Sequence, residues 1–343
     1  MSHKFPYKWY LKDGYTESHG YKVFGTFICG GGSTMGYKLA GFEHLGGVEI
    51  DKEVAEVYKE NHNPKYLFNE DIRNFNKRKD LPEELFNLDI LDGSPPCSSF
   101  SMAGNREKDW GKKKKFREGQ ACQTLDDLFF DYIELAKRLQ PKIVIAENVK
   151  GLIQGNAKVY VKKIKSKFEE AGYKVQMFLL NAASMGVPQK RERVFFVCQR
   201  KDLGFKPLNL QFNEKAILFG EVKNNEKQYL LSENMKKWWL LRREGDIGFE
   251  DITKREKGAN GSLFNHKFLY NNKVANTITT SGLTTDFYIP RYLSDYENKI
   301  IGSYPLDYNF KKIKPQYLIG MSVPPVMMAQ IADQIHIQWL KGK

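Results

Sequence analysis

Gly93-Ser94-Pro95-Pro96-Cys97-Ser98-Ser99-Phe100-Ser101 is the stretch on which the reading of this chain turns. It follows Phe86-Asn87-Leu88-Asp89-Ile90-Leu91-Asp92, a short, largely apolar run that reads as a strand. Gly93 then marks a turn, and Cys97 falls just past a strand's carboxyl end. In an open α/β sheet that end collects ligands and catalytic groups. Two consecutive prolines fix φ ahead of the cysteine, and the serines after it offer hydroxyl and backbone hydrogen bonds. Read alone, the stretch fits a stiffened strand end around an inert thiol as well as a loop that holds a nucleophile.

Working outward, the pattern alternates. Residues 21–28 read as a strand, 29–36 as a glycine-rich turn, 35–40 as a helix start, 44–50 as the next strand, and 51–60 as a helix ended by Asn61-His62-Asn63-Pro64. Downstream, 125–139 has helical apolar spacing and 142–146 is a β-branched run leading into Glu147-Asn148-Val149. A helix over 158–171 stops at Gly172, and 173–180 and 193–199 read as two closing strands. This βαβ grammar predicts an α/β fold. After about residue 201 the apolar periodicity weakens, which predicts a second, smaller and less regular domain. An apolar helix over 326–339 is expected to return to the first domain. The expected division is 1–200 completed by 317–343, against 201–316.

Charge points to the partner. Lys and Arg number 54 against 41 Asp and Glu, a net charge of +13 that favours a polyanion. An aromatic content of 13% is ample for stacking on bases. The four cysteines, Cys29, Cys97, Cys122 and Cys198, lack the paired spacing of a zinc site, and a domain of this size needs no disulfides. No metal is therefore expected, and a reducing cytoplasm fits. No apolar run approaches membrane-spanning length, and residues 1–20 lack the apolar stretch of a signal peptide.

Candidate site residues gather at the predicted strand ends. In Phe27-Ile28-Cys29-Gly30-Gly31-Gly32-Ser33-Thr34-Met35-Gly36, glycines let the backbone approach a nucleotide-like ligand, although the spacing departs from G-x-G-x-x-G. Glu49 ends the second strand, where a carboxylate commonly accepts ribose hydroxyls, and Asp71 follows a short third strand. Both carboxylates would also serve as plain caps. Glu147 is delivered to the same edge as Cys97, where partial burial suits a proton donor. Val187-Pro188-Gln189-Lys190-Arg191-Glu192-Arg193 reads as a solvated hairpin or as a charged run whose Arg193 is drawn inward. Lys236-Lys237-Trp238-Trp239-Leu240-Leu241-Arg242-Arg243 fits a DNA-facing element and a small aromatic core equally well.

Taken together, Phe27-x-x-Gly30-Gly31-Gly32-x-x-x-Gly36, Pro96-Cys97-x-x-Phe100-Ser101, Glu147-Asn148-Val149, Gln189-x-Arg191-x-Arg193 and Gly320-x-x-Val323-Pro324 resemble, in order and spacing, the cytosine-C5 DNA methyltransferases. The resemblance implies a Rossmann-like S-adenosylmethionine-dependent methyltransferase domain on a mixed, mostly parallel sheet, with a smaller irregular target-recognition domain. It implies Cys97 as nucleophile at cytosine C6, Glu147 as the group at N3, Arg193 at O2, and Arg191 orienting Glu147 or the loop. The base must then be flipped from the duplex. Cofactor contacts are implied for Phe27, Gly30, Gly32, Glu49, Ile50, Asp71, Ile72, Pro95, Ser322 and Val323, with S-adenosylhomocysteine as product. DNA contacts are expected from Ser98, Ser101, Arg106, Gln189, Lys236 and Arg242, the first three on a loop over 98–123 that closes on DNA.

Three positions depart from the pattern. Cys29 stands where the family usually has glycine, Ser98 where glutamine or asparagine often follows the nucleophile, and Met321 where asparagine usually precedes Ser322. The expected activity is methylation of double-stranded DNA by a monomeric, cytoplasmic, bacterial or phage enzyme of restriction-modification type, any cognate restriction endonuclease acting separately. The tRNA-directed branch of the family usually shows a Cys-Phe-Thr tripeptide, absent here. A catalytically silent relative tends to lose the cysteine or the glutamate, and both are present.

Overall fold

The computed structural model describes residues 3–96, 113–114, 123–124, 127–154, 157–224, 229–258, 263 and 265–342. The chain divides into two compact units. One comprises Tyr15–Asn181, Glu192–Gln211 and Met328–Lys343; the other comprises Met1–Gly14, Ala182–Arg191 and Phe212–Met327.

The first unit is built on a seven-stranded sheet. In chain order its strands are β1 (Lys22–Thr26), β2 (Glu43–Val48), β3 (Tyr66–Phe68), β4 (Ile90–Gly93), β5 (Ile143–Val149), β6 (Tyr173–Asn181) and β7 (Glu192–Arg200), arranged spatially as 3-2-1-4-5-7-6. The strands from β1 to β5 pair in parallel, whereas β7 runs antiparallel to both β5 and β6. The α/β class and the mostly parallel mixed sheet are those expected from the sequence. Parallel strands are buried on both faces, which is why β4 and β5 read as nearly unbroken apolar runs.

Helices α1 (Gly32–Leu39), α2 (Lys52–His62), α3 (Leu128–Leu139) and α4 (Ala157–Glu170) alternate with these strands. Helix α3 buries Leu128, Phe129, Tyr132, Ile133, Leu135, Ala136 and Leu139, at the helical spacing that marked it in the sequence. These pack with Ile164 and Phe168 of α4 and with Leu91, Val144 and Phe196 of the sheet in one core. Gln140 ends α3 in a left-handed cap ahead of Pro141.

The C-terminal stretch packs in this unit. The Tyr21 hydroxyl donates to the Leu340 carbonyl at 2.6 Å, and the Trp339 indole donates to the Lys206 carbonyl at 2.8 Å. No helix among the described residues is long and apolar enough to cross a membrane.

Among the boundaries that differ from the sequence reading, two have a plain local reason. The strand expected over 86–92 is confined to Ile90–Gly93, because Glu83–Phe86 after Pro82 winds into a 3₁₀ turn. Helix α1 begins at Gly32, three residues early, because Gly31 takes a left-handed conformation (φ 71°) that turns the chain directly into the helix. Strand β2 carries a bulge at Leu45, where Gly46 (φ 126°) faces the Tyr66 carbonyl so closely that any β-carbon would collide with it.

The second unit holds a four-stranded sheet of β8 (Tyr229–Leu230), β9 (Lys267–Leu269), β10 (Thr284–Asp286) and β11 (Arg291–Tyr292), ordered 8-11-10-9. Helices α5 (Glu233–Leu240) and α6 (Phe249–Lys257) contribute to an aromatic core of Trp239, Phe249, Phe268, Tyr270 and Phe287. Trp239 is buried, its indole donates to the Asp286 carbonyl at 3.1 Å, and the Arg242 guanidinium lies 3.2 Å from its ring centroid. Between the two readings left open for this segment, Trp239 is core. Fully buried Arg291 meets both oxygens of Glu297 at 2.7 Å and Asp286 at 3.3 Å, and Lys223 also reaches Asp286 at 2.7 Å. Trp239→Ala is expected to cost about 3–5 kcal/mol and exposed Lys236→Ala less than about 0.5 kcal/mol, read as shifts in the urea midpoint by far-ultraviolet circular dichroism.

Candidate active site

The glycine turn after β1 is held in place from below. Phe27 (φ 54°) and Cys29 (φ 48°) both sit in the left-handed region, which costs a side-chain-bearing residue roughly 1 kcal/mol each. The Cys29 amide donates to Glu49 Oε2 at 2.9 Å, and the Asp51 amide donates to Glu49 Oε1 at 2.9 Å. Burial pushes the Glu49 carboxyl up to about 7, against the lowering effect of those two amides. His62 Nε2 donates to the Gly30 carbonyl at 3.4 Å, which assigns the proton to that nitrogen, and the imidazole leaves no room for a β-carbon at Gly31. Burial pushes His62 down to about 3, so this ring is a neutral prop.

Further along the same edge, Ile50 is half-buried and Ile72 is buried. Asp71 caps the short helix Ile72–Phe75 by accepting from the Arg73 amide at 2.8 Å, and its other oxygen meets the Arg73 guanidinium at 3.3 Å. Gly30 and Gly32 are buried and the Phe27 ring is partly exposed. A buried carboxylate with one amide on each oxygen retains acceptor capacity for a diol, and the bare turn beside it offers backbone groups. These residues fit a nucleoside-containing ligand.

The reacting end lies on β4, β5 and β7. Glu147 is buried on β5, and its Oε1 meets Arg193 Nε of β7 at 2.8 Å; Arg193 also donates to the Glu192 carbonyl at 2.8 Å. The pairing of Arg193 with Val149, two residues past Glu147, puts both side chains on one face of the sheet. Burial lowers the Arg193 guanidinium from its ordinary value while Glu147 opposes that effect. Asn148 was not singled out from the sequence, yet its Nδ2 donates to the Pro95 carbonyl at 3.0 Å and its Oδ1 accepts from the Val149 amide at 2.9 Å. Asn148 therefore ties the strand of Glu147 to the proline pair that precedes Cys97. Asp92, also missed, is buried beside them at the end of β4 and accepts from the Tyr37 hydroxyl at 3.1 Å.

Other predicted site residues belong to the second unit. The Arg191 guanidinium, almost wholly buried, donates to the carbonyls of Ile278 (3.1 Å), Gly320 (2.9 Å) and Ser322 (2.8 Å). These bonds hold the segment that carries Ser322. The Ser322 hydroxyl donates to the Leu318 carbonyl at 2.8 Å and meets the Tyr304 hydroxyl at 2.7 Å; Val323 is buried. Gln189, also buried, donates to the Ile301 carbonyl at 3.1 Å and accepts from the Ile278 amide at 3.0 Å. Lys236 is exposed, whereas Arg242 donates to the carbonyls of Phe287 (2.6 Å) and Trp239 (3.0 Å). Cys97, Ser98, Ser101 and Arg106, and with them most of the loop over 98–123, lie outside the described residues.

The chain is 38% identical over 209 residues to Type II methyltransferase M.FnuDI of Fusobacterium nucleatum, a match covering 61% of this chain and 53% of that protein. It is 28% identical over 338 residues to Type II methyltransferase M1.HphI of Haemophilus parahaemolyticus, covering 90% and 85%. The chain thus spans about half the length of the Fusobacterium relative. Among solved structures, a mutant of Spodoptera frugiperda DNMT2 superposes with a TM-score of 0.65 at 17% identity, covering 92% of this chain and 99% of that one. Entamoeba histolytica methyltransferase EhMeth gives 0.62 at 14%, covering 93% and 99%. Those two likenesses carry the Rossmann-like methyltransferase fold. The family model for C-5 cytosine-specific DNA methylase matches residues 21–336, and the chain belongs to that family.

Proposed function

We propose that this protein transfers a methyl group to C5 of a cytosine flipped out of double-stranded DNA. The observation that carries the reading is the buried Glu147–Arg193 pair on neighbouring strands, tied through Asn148 to the prolines that lead into Cys97. Cytosine C5 is a poor nucleophile. Addition of the Cys97 thiolate to C6 forms an S–C6 bond and pushes electron density toward N3 and O2. Glu147 delivers a proton to N3, Arg193 donates to O2, and C5 becomes enamine-like. Once C5 has bonded to the methyl carbon, loss of its proton breaks the S–C6 bond, the thiolate leaves, N3 gives back its proton and the ring is restored. S-adenosylmethionine, when bound, supplies the methyl group, and the carboxylate of Glu49 with the turn of Gly30 and Gly32 supports its assignment to the β1–α1 edge. Phe27, Ile50, Asp71, Ile72 and Pro95 are assigned to the same ligand, and Ser322 and Val323 with them.

The net charge of +13 supports a phosphate-rich partner, and the names of the Type II methyltransferase relatives support a role in restriction-modification. Ser98, Ser101, Arg106, Gln189 and Lys236 remain assigned to the DNA. Arg191 and Arg242 are assigned supporting roles behind Ser322 and Trp239.

Duplex DNA incubated with protein and labelled S-adenosylmethionine is expected to carry label at cytosine C5; label in RNA alone, or none, refutes the reading. Cys97→Ala is expected to abolish transfer while DNA binding persists, and residual turnover in that variant would remove Cys97 from its role. A second outcome concerns pH. Ribose hydroxyls donate to the ionised form of Glu49, so cofactor affinity is expected to weaken as pH falls through about 7. The drop between pH 8 and pH 6 should be about tenfold by calorimetric titration. Glu49→Gln should bind more weakly and without that pH dependence; a flat wild-type profile contradicts the assignment.

A further inference from the structure

We propose that Asp92 is a further positioning residue of this reaction, tying the helix behind the glycine turn to the strand end beside Glu147 and setting a second buried carboxyl on the same sheet face as that acid. This rests on the reading of Glu147 as the proton donor to cytosine N3.

The geometry comes from strand register. Asp92 of β4 pairs with Ile145 of β5, and Gly93 with Ala146. Side chains alternate along a strand, so Ile145 and Glu147 share a face, and Asp92 is the diagonal neighbour of Glu147 on it. On its other side Asp92 pairs with Gly25 of β1, which has no side chain to separate the carboxyl from α1. The Tyr37 hydroxyl of α1 donates to Asp92 Oδ1 at 3.1 Å, and the Ser33 hydroxyl and the Gly93 amide also bond to the carboxylate. One buried group thereby joins the helix after Gly30-Gly31-Gly32 to the strand leading toward Cys97.

Tyr37 of α1, Tyr58 of α2 and Tyr132 of α3 surround Asp92, and burial raises all three phenols above their ordinary value, so none ionises in the working range. Arg193 of β7 meets Glu147. Burial pushes the Asp92 carboxyl up to about 7, with the charge of Glu147 adding to the effect and the Tyr37 bond opposing it. Ionisation of Asp92 therefore changes the field at the acid beside it on the same sheet face.

The test is the pH profile of single-turnover methyl transfer from labelled S-adenosylmethionine to duplex DNA, at saturating cofactor. Asp92→Asn keeps an acceptor for Tyr37 and removes the charge. The wild-type rate is expected to bend near pH 7, where the Asp92 carboxyl ionises, and the variant, which cannot ionise there, to lose that bend. Cofactor affinity by calorimetry should stay within about twofold. Asp92→Ser, smaller and also uncharged, carries the same expectation should the asparagine variant fail to fold. An equal fractional loss at every pH leaves the bend in place, marks a merely structural residue and overturns the proposal. A wild-type protein that labels no duplex DNA fails the underlying reading and takes this inference with it.

Discussion

Three carboxylates, Glu49, Asp92 and Glu147, are buried at one edge of a single sheet, at or just past the ends of β2, β4 and β5. An isolated buried carboxylate costs several kcal/mol to keep charged, so most of the local architecture reads as the means of keeping these three. Each has a different partner. Glu49 takes two main-chain amides, Asp92 takes hydroxyls from α1, and Glu147 takes a guanidinium from β7. The differences have chemical consequences. Burial leaves Glu49 and Asp92 titrating near neutrality against the pull of their amide and hydroxyl donors, whereas Glu147 has a fixed cation beside it.

The fold class was legible because parallel strands flanked by amphipathic helices leave long-lived patterns: apolar runs ending in Gly93 or Glu147, and the spaced apolar face of Leu128–Leu139. Cys97, Glu49 and Glu147 were legible as candidates because each follows such a run. What escaped was whatever depends on contacts between distant residues. Tyr37 and Asp92 are 55 positions apart, Asn148 and Pro95 53, and Arg191 reaches Ser322 across 131. No local pattern encodes those pairs. Asn148 did have a signal, since it sits between Glu147 and Val149 at a strand end, but an amide there reads equally as a simple turn former.

The cation-rich segment Lys236–Arg243 shows how composition misleads when side chains divide their work. Lys236 and Lys237 point to solvent, while Trp239 and Arg242 close the aromatic core. An arginine stacked on an indole with two carbonyls as acceptors is part of the packing, in the way a planar guanidinium allows and an ammonium does not. The same holds for Arg191 and Arg291, both almost fully buried. The charges of these three arginines are therefore structural.

Cys29 brings the strain and the chemistry of the turn together. A glycine in that place would adopt φ near 48° without penalty; a cysteine does so at a cost of roughly 1 kcal/mol. The offset is visible in the same residue, because the left-handed conformation directs the Cys29 amide at Glu49 Oε2. Without that amide the buried carboxylate would lose one of its two main-chain donors, and its proton would be held more tightly still. The strained backbone and the raised carboxyl are thus two sides of one contact. Strain of this kind persists where the surroundings over-determine it, and here His62 against Gly30, Gly31 and the pairing of β1 with β2 do so. The departure from glycine at position 29 is tolerated because Glu49 fixes the conformation that glycine would merely permit.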